Sequence, residues 1–211
     1  MYKKIVDFIR DIYQTEELIP LHQPCFTDIE KKVVLDCIES TFVSSVGEYV
    51  NSFESKICEF TGSKYAVATV NGTSALHLAL IVAGVKPGDE VITQPLTFVA
   101  TPNAIKYAGA HPVFIDIDKD TLGLCPRKLE DFLLFNTELE EDSFYNKTTG
   151  RRVSACVPMH TFGHPAQIDE IVRISNRYNI PVIEDAAESL GSQYKDIHTG
   201  CYGLAGVFSF N

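Results

Sequence analysis

Pro181-Val-Ile-Glu-Asp185-Ala-Ala-Glu-Ser-Leu-Gly191 opens on three apolar residues and turns at once to carboxylates and small side chains. A run so short and apolar reads as a buried strand, and carboxylates at its carboxyl end are placed where open α/β sheets bind ligands. Upstream, Tyr65–Thr69, Glu90–Gln94, Pro112–Ile117 and Val153–Met159 repeat the short apolar pattern. Segments of helical length separate these runs: Thr73–Ala83, Phe98–Tyr107, Pro126–Phe135 and Ile168–Tyr178. Such alternation predicts a three-layer α/β/α domain with a mainly parallel sheet and right-handed crossovers.

Towards the N-terminus the period lengthens. Ile5, Phe8, Ile9 and Ile12 recur at helical spacing, giving an amphipathic helix that needs a partner. A Pro20 to Pro24 linker follows, then Thr27-Asp-Ile-Glu30, a capping box opening a helix with the stripe Val33, Val34, Cys37 and Ile38. A further helix is predicted from Glu48 to Phe60, closed by Gly62. The expected division is therefore residues 1–24 as helix and linker and residues 25–211 as one large domain. Asn136–Arg152, acidic and then basic with turn formers at Asn146 and Gly150, reads as an exposed excursion on the sheet's rim.

With 211 residues, 45% of them apolar, the chain can bury a substantial core. Its formal charge of -10 argues against a nucleic-acid partner, which demands basic patches. No apolar run reaches the roughly 18 residues that span a bilayer, and no secretory leader is evident. Six cysteines, at 25, 37, 58, 125, 156 and 201, form no CxxC pair and suit reduced thiols in a cytoplasmic protein. The sequons Asn71-Gly-Thr and Asn146-Lys-Thr are then chance matches.

Four segments following apolar runs carry candidate chemistry. In Val70-Asn-Gly-Thr-Ser-Ala-Leu-His77, the free amides of a helix N-terminus, with the Thr73 and Ser74 hydroxyls, can cradle a phosphate; an ordinary Asn-Gly turn with Thr73 as a plain N-cap is the other reading. In Gln94-Pro-Leu-Thr-Phe-Val-Ala-Thr101, Phe98 can stack on a heteroaromatic ring or serve as core. In Val157-Pro-Met-His-Thr-Phe-Gly-His164, His160 and His164 can bind substrate, or be satisfied structural histidines; a metal site lacks a further ligand at suitable spacing. In the opening stretch, Asp185 can hold a pyridine nitrogen protonated, or cap a helix.

Together, Asn71-Gly-Thr-Ser-Ala-Leu-His, Gly88-Asp-Glu-Val-Ile-Thr-Gln-Pro, Thr97-Phe-Val-Ala-Thr, Pro112-Val-Phe-Ile-Asp-Ile-Asp, Glu184-Asp-Ala-Ala-Glu-Ser-Leu-Gly and Phe208-Ser-Phe-Asn resemble the DegT/DnrJ/EryC1 family, from about residue 25 onward. The resemblance implies a fold-type-I pyridoxal-phosphate (PLP) aminotransferase acting on nucleotide-linked keto-sugars, with glutamate as donor and a homodimeric assembly. It makes residues 25–211 the PLP-binding large domain. It places Gly72, Thr73, Ser74 and Ser209 at the cofactor phosphate, Phe98 on the ring, Asp185 at the pyridine nitrogen as the catalytic carboxylate, and Glu188 near the phenolic oxygen. The Ile19-Pro-Leu-His entry, Ser40-Thr-Phe-Val-Ser-Ser-Val-Gly and Pro158-Met-His-Thr-Phe-Gly-His look like the legionaminic-acid branch.

Relatives carry the Schiff-base lysine about three residues beyond the position matching Asn211. The resemblance therefore implies that this lysine, a remaining sheet strand, a small domain and much of the substrate pocket lie past residue 211, and that residues 1–211 alone are inactive. Two rivals stand beside the aminotransferase. One is a dehydratase of the same family with His at the lysine position, and the other a nucleotide-binding module without chemistry. No GxGxxG or GxxxxGK[ST] follows a predicted strand to support the module.

Overall fold

The computed structural model describes residues 2–20 and 24–210. Its contacts divide the chain into two compact units, Met1–Tyr49 and Val50–Asn211, a boundary inside the segment read from sequence as one large domain.

The first unit carries α1 (Tyr2–Tyr13) and α2 (Asp28–Glu39). The stripe Ile5, Phe8, Ile9 and Ile12 of α1 is exposed. The linker predicted between Pro20 and Pro24 falls largely on residues 21–23, outside the described residues. The capping box opening α2 forms as expected: the Thr27 hydroxyl accepts the Ile29 N–H at 3.2 Å, and the Thr27 N–H donates to the Glu30 carboxylate at 2.6 Å. A cap of this kind is worth about 1 kcal/mol of helix stability.

The second unit holds most of α3 (Glu48–Thr61), then α4 (Gly72–Val82), β1 (Glu90–Thr93), α5 (Ala100–Tyr107), β2 (His111–Phe114) and α6 (Pro126–Asn136). There follow the hairpin β3 (Thr137–Glu140) and β4 (Ser143–Asn146), then β5 (Val153–Val157), α7 (Ile168–Arg177), β6 (Ile183–Asp185), the ribbon β7 (Gln193–Tyr194) and β8 (Ile197–His198), and β9 (Ala205–Val207). Strands β2, β1 and β5 pair in parallel. Parallel bridges from Cys156 to Val182 and from Met159 to Asp185 carry the sheet across to β6, which pairs in parallel with β9. The resulting order is β2-β1-β5-β6-β9.

Side-chain alternation along these strands builds two cores. Ile92, Val153, Cys156 and Val182 face Leu129 and Leu133 of α6 and Ile168, Ile171 and Ile174 of α7. Val91, Ala155, Val157, Ile183 and Val207 face Leu76 and Leu80 of α4 and Ala104 and Ile105 of α5. Helices cover both faces, the predicted three-layer α/β/α arrangement with a parallel sheet. No helix among the described residues is long and apolar enough to cross a membrane.

The structure corrects several sequence expectations. Tyr65–Thr69 forms no strand among the described residues. Its Tyr65 and Val67 are exposed, its Ala68 N–H goes to the Glu54 carboxylate at 2.8 Å, and it shares with Gly203–Phe210 the lining of a cleft of about 680 Å³. An extended segment becomes a strand only when a neighbour takes its backbone groups. Asn136–Arg152 is largely exposed, as expected, and is built as a paired hairpin: the Asn146 amide donates to Glu90 at 2.8 Å and the Thr149 hydroxyl to the same carboxylate at 2.7 Å. The strand predicted over Pro181–Ile183 is displaced to Ile183–Asp185, and β9 lies in a stretch the sequence reading left unassigned.

Candidate functional site

Asp185 ends β6 and is only 2% exposed. Its backbone is clamped on both sides: its N–H donates to the Pro158 carbonyl at 2.9 Å, and its carbonyl accepts the His160 N–H at 3.1 Å. The carboxylate accepts from the Thr101 hydroxyl at 2.6 Å and the Ala187 N–H at 3.3 Å. Burial pushes this carboxyl above the ordinary carboxylate range, and the Thr101 bond only partly offsets that. No ion pair with Asp185 occurs among the described residues. A buried carboxylate without a cation is costly, and either a proton or a cationic partner relieves that cost.

On the same face of the sheet, α4 begins at Gly72. Asn71, not Thr73, is its cap, its side-chain oxygen accepting the Ser74 N–H at 2.8 Å. The Ala75 N–H returns to the Asn71 carbonyl at 3.1 Å, leaving the Gly72 and Thr73 amides as the first-turn donors not committed to the cap. A Cβ on Gly72 would sit 3.0 Å from Cβ of Ser209 and 3.2 Å from its Oγ, so glycine is what lets the helix start touch Ser209.

The pairing of β6 with β9 joins these two places. Asp185 lies opposite Val207, and the Ala186 N–H donates to the Val207 carbonyl at 2.9 Å. Neighbouring strands lie about 4.8 Å apart and a residue advances about 3.3 Å, so Ser209 lies roughly 8 Å from Asp185 along an extended chain. One small phosphorylated heterocycle can therefore touch both the carboxylate and the Gly72–Ser209 contact. Gly206 is indispensable here, because a side chain at that position would collide with the Gly200 backbone.

Phe98, just before α5, is 68% exposed and so is a surface ring rather than core. Next to it the Thr97 hydroxyl lies 2.6 Å from that of Thr101, which tethers this turn to Asp185.

The two histidines separate. His160 is completely buried; its Nδ1 accepts the Ala166 N–H at 3.1 Å and its Nε2 lies 3.0 Å from Glu184. With Nδ1 accepting, Nε2 carries the proton and donates to Glu184, so the ring is the neutral tautomer and keeps no atom for substrate. Both ring nitrogens of His160 are engaged within the chain, the geometry of the structural alternative that the sequence left open. His164 is exposed. Glu188, also exposed, accepts the Phe162 N–H at 2.8 Å and so holds a left-handed residue (φ 55°) in the turn after β5.

Two participants escaped the sequence reading. Thr101 is one, and its spacing of four from Thr97 on a helix start was the available signal. Glu184 is the other: fully buried, it accepts the N–H groups of Gly200 (2.8 Å), Tyr202 (2.6 Å) and Gly203 (2.8 Å) together with His160. A second carboxylate beside Asp185 in a buried strand was its signal, since such a group must be fully bonded. The set of a cationless buried carboxylate, first-turn amides, two hydroxyl-bearing helix residues and Ser209 fits a phosphorylated pyridine.

A profile of the DegT/DnrJ/EryC1/StrS aminotransferase family matches residues 24–211. GDP-perosamine synthase of Escherichia coli O157:H7 is 41% identical over 91% of this chain and 48% of its own length. GDP-perosamine synthase of Caulobacter vibrioides is 39% identical over 86% of this chain and 44% of its own. The X-ray structure of an aminotransferase from Psychrobacter cryohalolentis superposes with a TM-score of 0.77 at 33% identity, covering 90% of this chain and 45% of that one. The chain thus spans about half the length of the curated relatives it matches.

Proposed function

The chain belongs to the DegT/DnrJ/EryC1/StrS aminotransferase family, and on that premise we propose that it forms the cofactor site of an enzyme that moves an amino group onto a nucleotide-linked sugar. Pyridoxal phosphate is the cofactor the family implies. The observation that carries the reading is the juxtaposition of the cationless Asp185 carboxylate with the Gly72–Ser209 contact at the carboxyl end of one parallel sheet.

In this reading the Gly72 and Thr73 amides, the Thr73 and Ser74 hydroxyls and Ser209 hold the phosphate, which the positive end of α4 favours. Phe98 offers a face to the ring. Asp185 keeps a proton on the ring nitrogen, and its attraction to that cation, which offsets the desolvation cost the buried carboxylate already bears, favours binding. Bound there, PLP supplies an electron sink for the α-carbon of an amino acid. Glu188 is assigned to the neighbourhood of the phenolic oxygen, and the exposed His164 to the substrate. The acceptor is a nucleotide-activated 4-keto-6-deoxy-HexNAc, the donor glutamate, the setting nonulosonic acid synthesis of the legionaminic type in the cytoplasm, and the assembly a homodimer. The sequence resemblance and the nucleotide-sugar chemistry in the relatives' names support the substrate class.

The protein, expressed with whatever natively follows residue 211, is incubated with PLP, glutamate and either the UDP- or the GDP-linked keto-sugar. Release of 2-oxoglutarate matched by an amino-sugar product is expected, and Asp185→Ala removes it. Loss of a hydroxyl without gain of nitrogen identifies the dehydratase instead. Full turnover in Asp185→Ala, or no binding of PLP, overturns the reading.

A further inference from the structure

We propose that Thr101 is a positioning residue for the carboxylate that meets the ring nitrogen: its buried hydroxyl, fed by Thr97, holds the Asp185 carboxylate in one orientation. The inference rests on the PLP reading of the site and assigns to it a residue outside the cofactor's own contacts.

Thr101 is fully buried in the first turn of α5, and its N–H returns to the Phe98 carbonyl at 3.2 Å, so its backbone is fixed. Its hydroxyl reaches Asp185 Oδ2 at 2.6 Å, whereas the other donor, the Ala187 N–H, is 3.3 Å from Oδ1. The short contact is the orienting one.

Counting protons sets the direction. Opposite a protonated ring nitrogen the carboxylate is ionised and only accepts, so the single hydroxyl proton of Thr101 points at Asp185. The two threonine oxygens lie 2.6 Å apart and need a proton between them, which Thr97 then supplies, giving up its alternative donation to the Met159 sulfur at 3.0 Å. The relay runs Thr97 to Thr101 to Asp185, and every member polarises the next towards the ionised carboxylate. Phe98 sits between the two threonines, so one turn of chain presents the ring face and aims the carboxylate.

The test is calorimetric titration of the protein with PLP, paired with thermal melts. Thr101→Val keeps the branched shape and removes the donor; it weakens PLP about tenfold or more. Thr101→Ser restores the donor and returns affinity to within about threefold of the parent. Valine binding like the parent overturns the proposal, as does serine binding as weakly as valine, which marks a packing role. Should the valine variant fail to fold, Thr97→Val at a half-buried position reads the same relay: it weakens PLP about threefold, and an unchanged affinity overturns the proposal. A parent protein that does not bind PLP defeats the proposed function itself, so the two failures are distinct.

Discussion

Replacing Glu184 by Gln changes one atom and tests how the site is held up. Each carboxylate oxygen serves two donors: Oε1 takes Tyr202 and Gly203 at 2.6 and 2.8 Å, Oε2 takes Gly200 and His160 at 2.8 and 3.0 Å. A glutamine keeps one acceptor oxygen and puts an NH2 in place of the other. Whichever way the amide turns, two buried N–H groups then face a donor. His160 cannot rescue the arrangement by switching tautomer, because its Nδ1 is already needed to accept from Ala166. Two bonds to a charged group are lost at about 1.5–3 kcal/mol each, so Glu184→Gln costs about 3–6 kcal/mol. That is a large share of the roughly 5–15 kcal/mol available to a domain. Urea unfolding measures it as a fall in midpoint at constant m-value. Amide exchange localises it: Gly200, Tyr202 and Gly203 lose protection before the β1–β5 core does. A destabilisation under about 1 kcal/mol, or unchanged protection at those three amides, refutes the reasoning.

Asp185→Asn should abolish tight PLP binding yet leave the cofactor-free chain at least as stable at neutral pH. Burial raises this carboxyl, so between its unfolded and folded pKa the folded state holds a proton the unfolded chain has released; stability falls as pH climbs through that window, and melts of the variant across acidic to neutral pH should lose that slope. Gly72→Ala should gain helix propensity but push on Ser209 from 3.0 Å, weakening PLP while moving the melting midpoint little; equal PLP affinity would show that the contact is slack. Phe98→Ala, at a 68% exposed position, should leave thermal stability unchanged and lower PLP affinity, read by the same titration; a large drop in melting temperature would mark the ring as core. Burial pushes the Cys156 thiol up to about 12, so in the folded protein the exposed Cys25 is alkylated while Cys156 reacts only after denaturation, as peptide mass mapping will show.

What could be read from the chain alone was whatever depends on near neighbours. The capping box at Thr27 and Glu30, Pro126 opening α6 and the stop at Gly62 all follow from groups within a turn of one another. The alternation of apolar runs with helical stretches carried the layer architecture, because burial on two faces imposes a period whichever partner arrives. Tertiary structure decided what depends on distant partners. Tyr65–Thr69 has strand composition, but a ladder needs a second backbone, and Asn146 forms the turn its sequence announces while its bond to Glu90, far away in sequence, is one that local pattern does not show. His160 and Asp185 looked alike as polar residues at strand ends. Glu184 and Ala166 close around the imidazole and leave it nothing to offer, whereas among the described residues only Thr101 and one amide reach the carboxylate and no cation does. Local sequence sets dihedrals and periods, but whether a buried polar atom is already satisfied is a property of contacts that only the folded chain brings together.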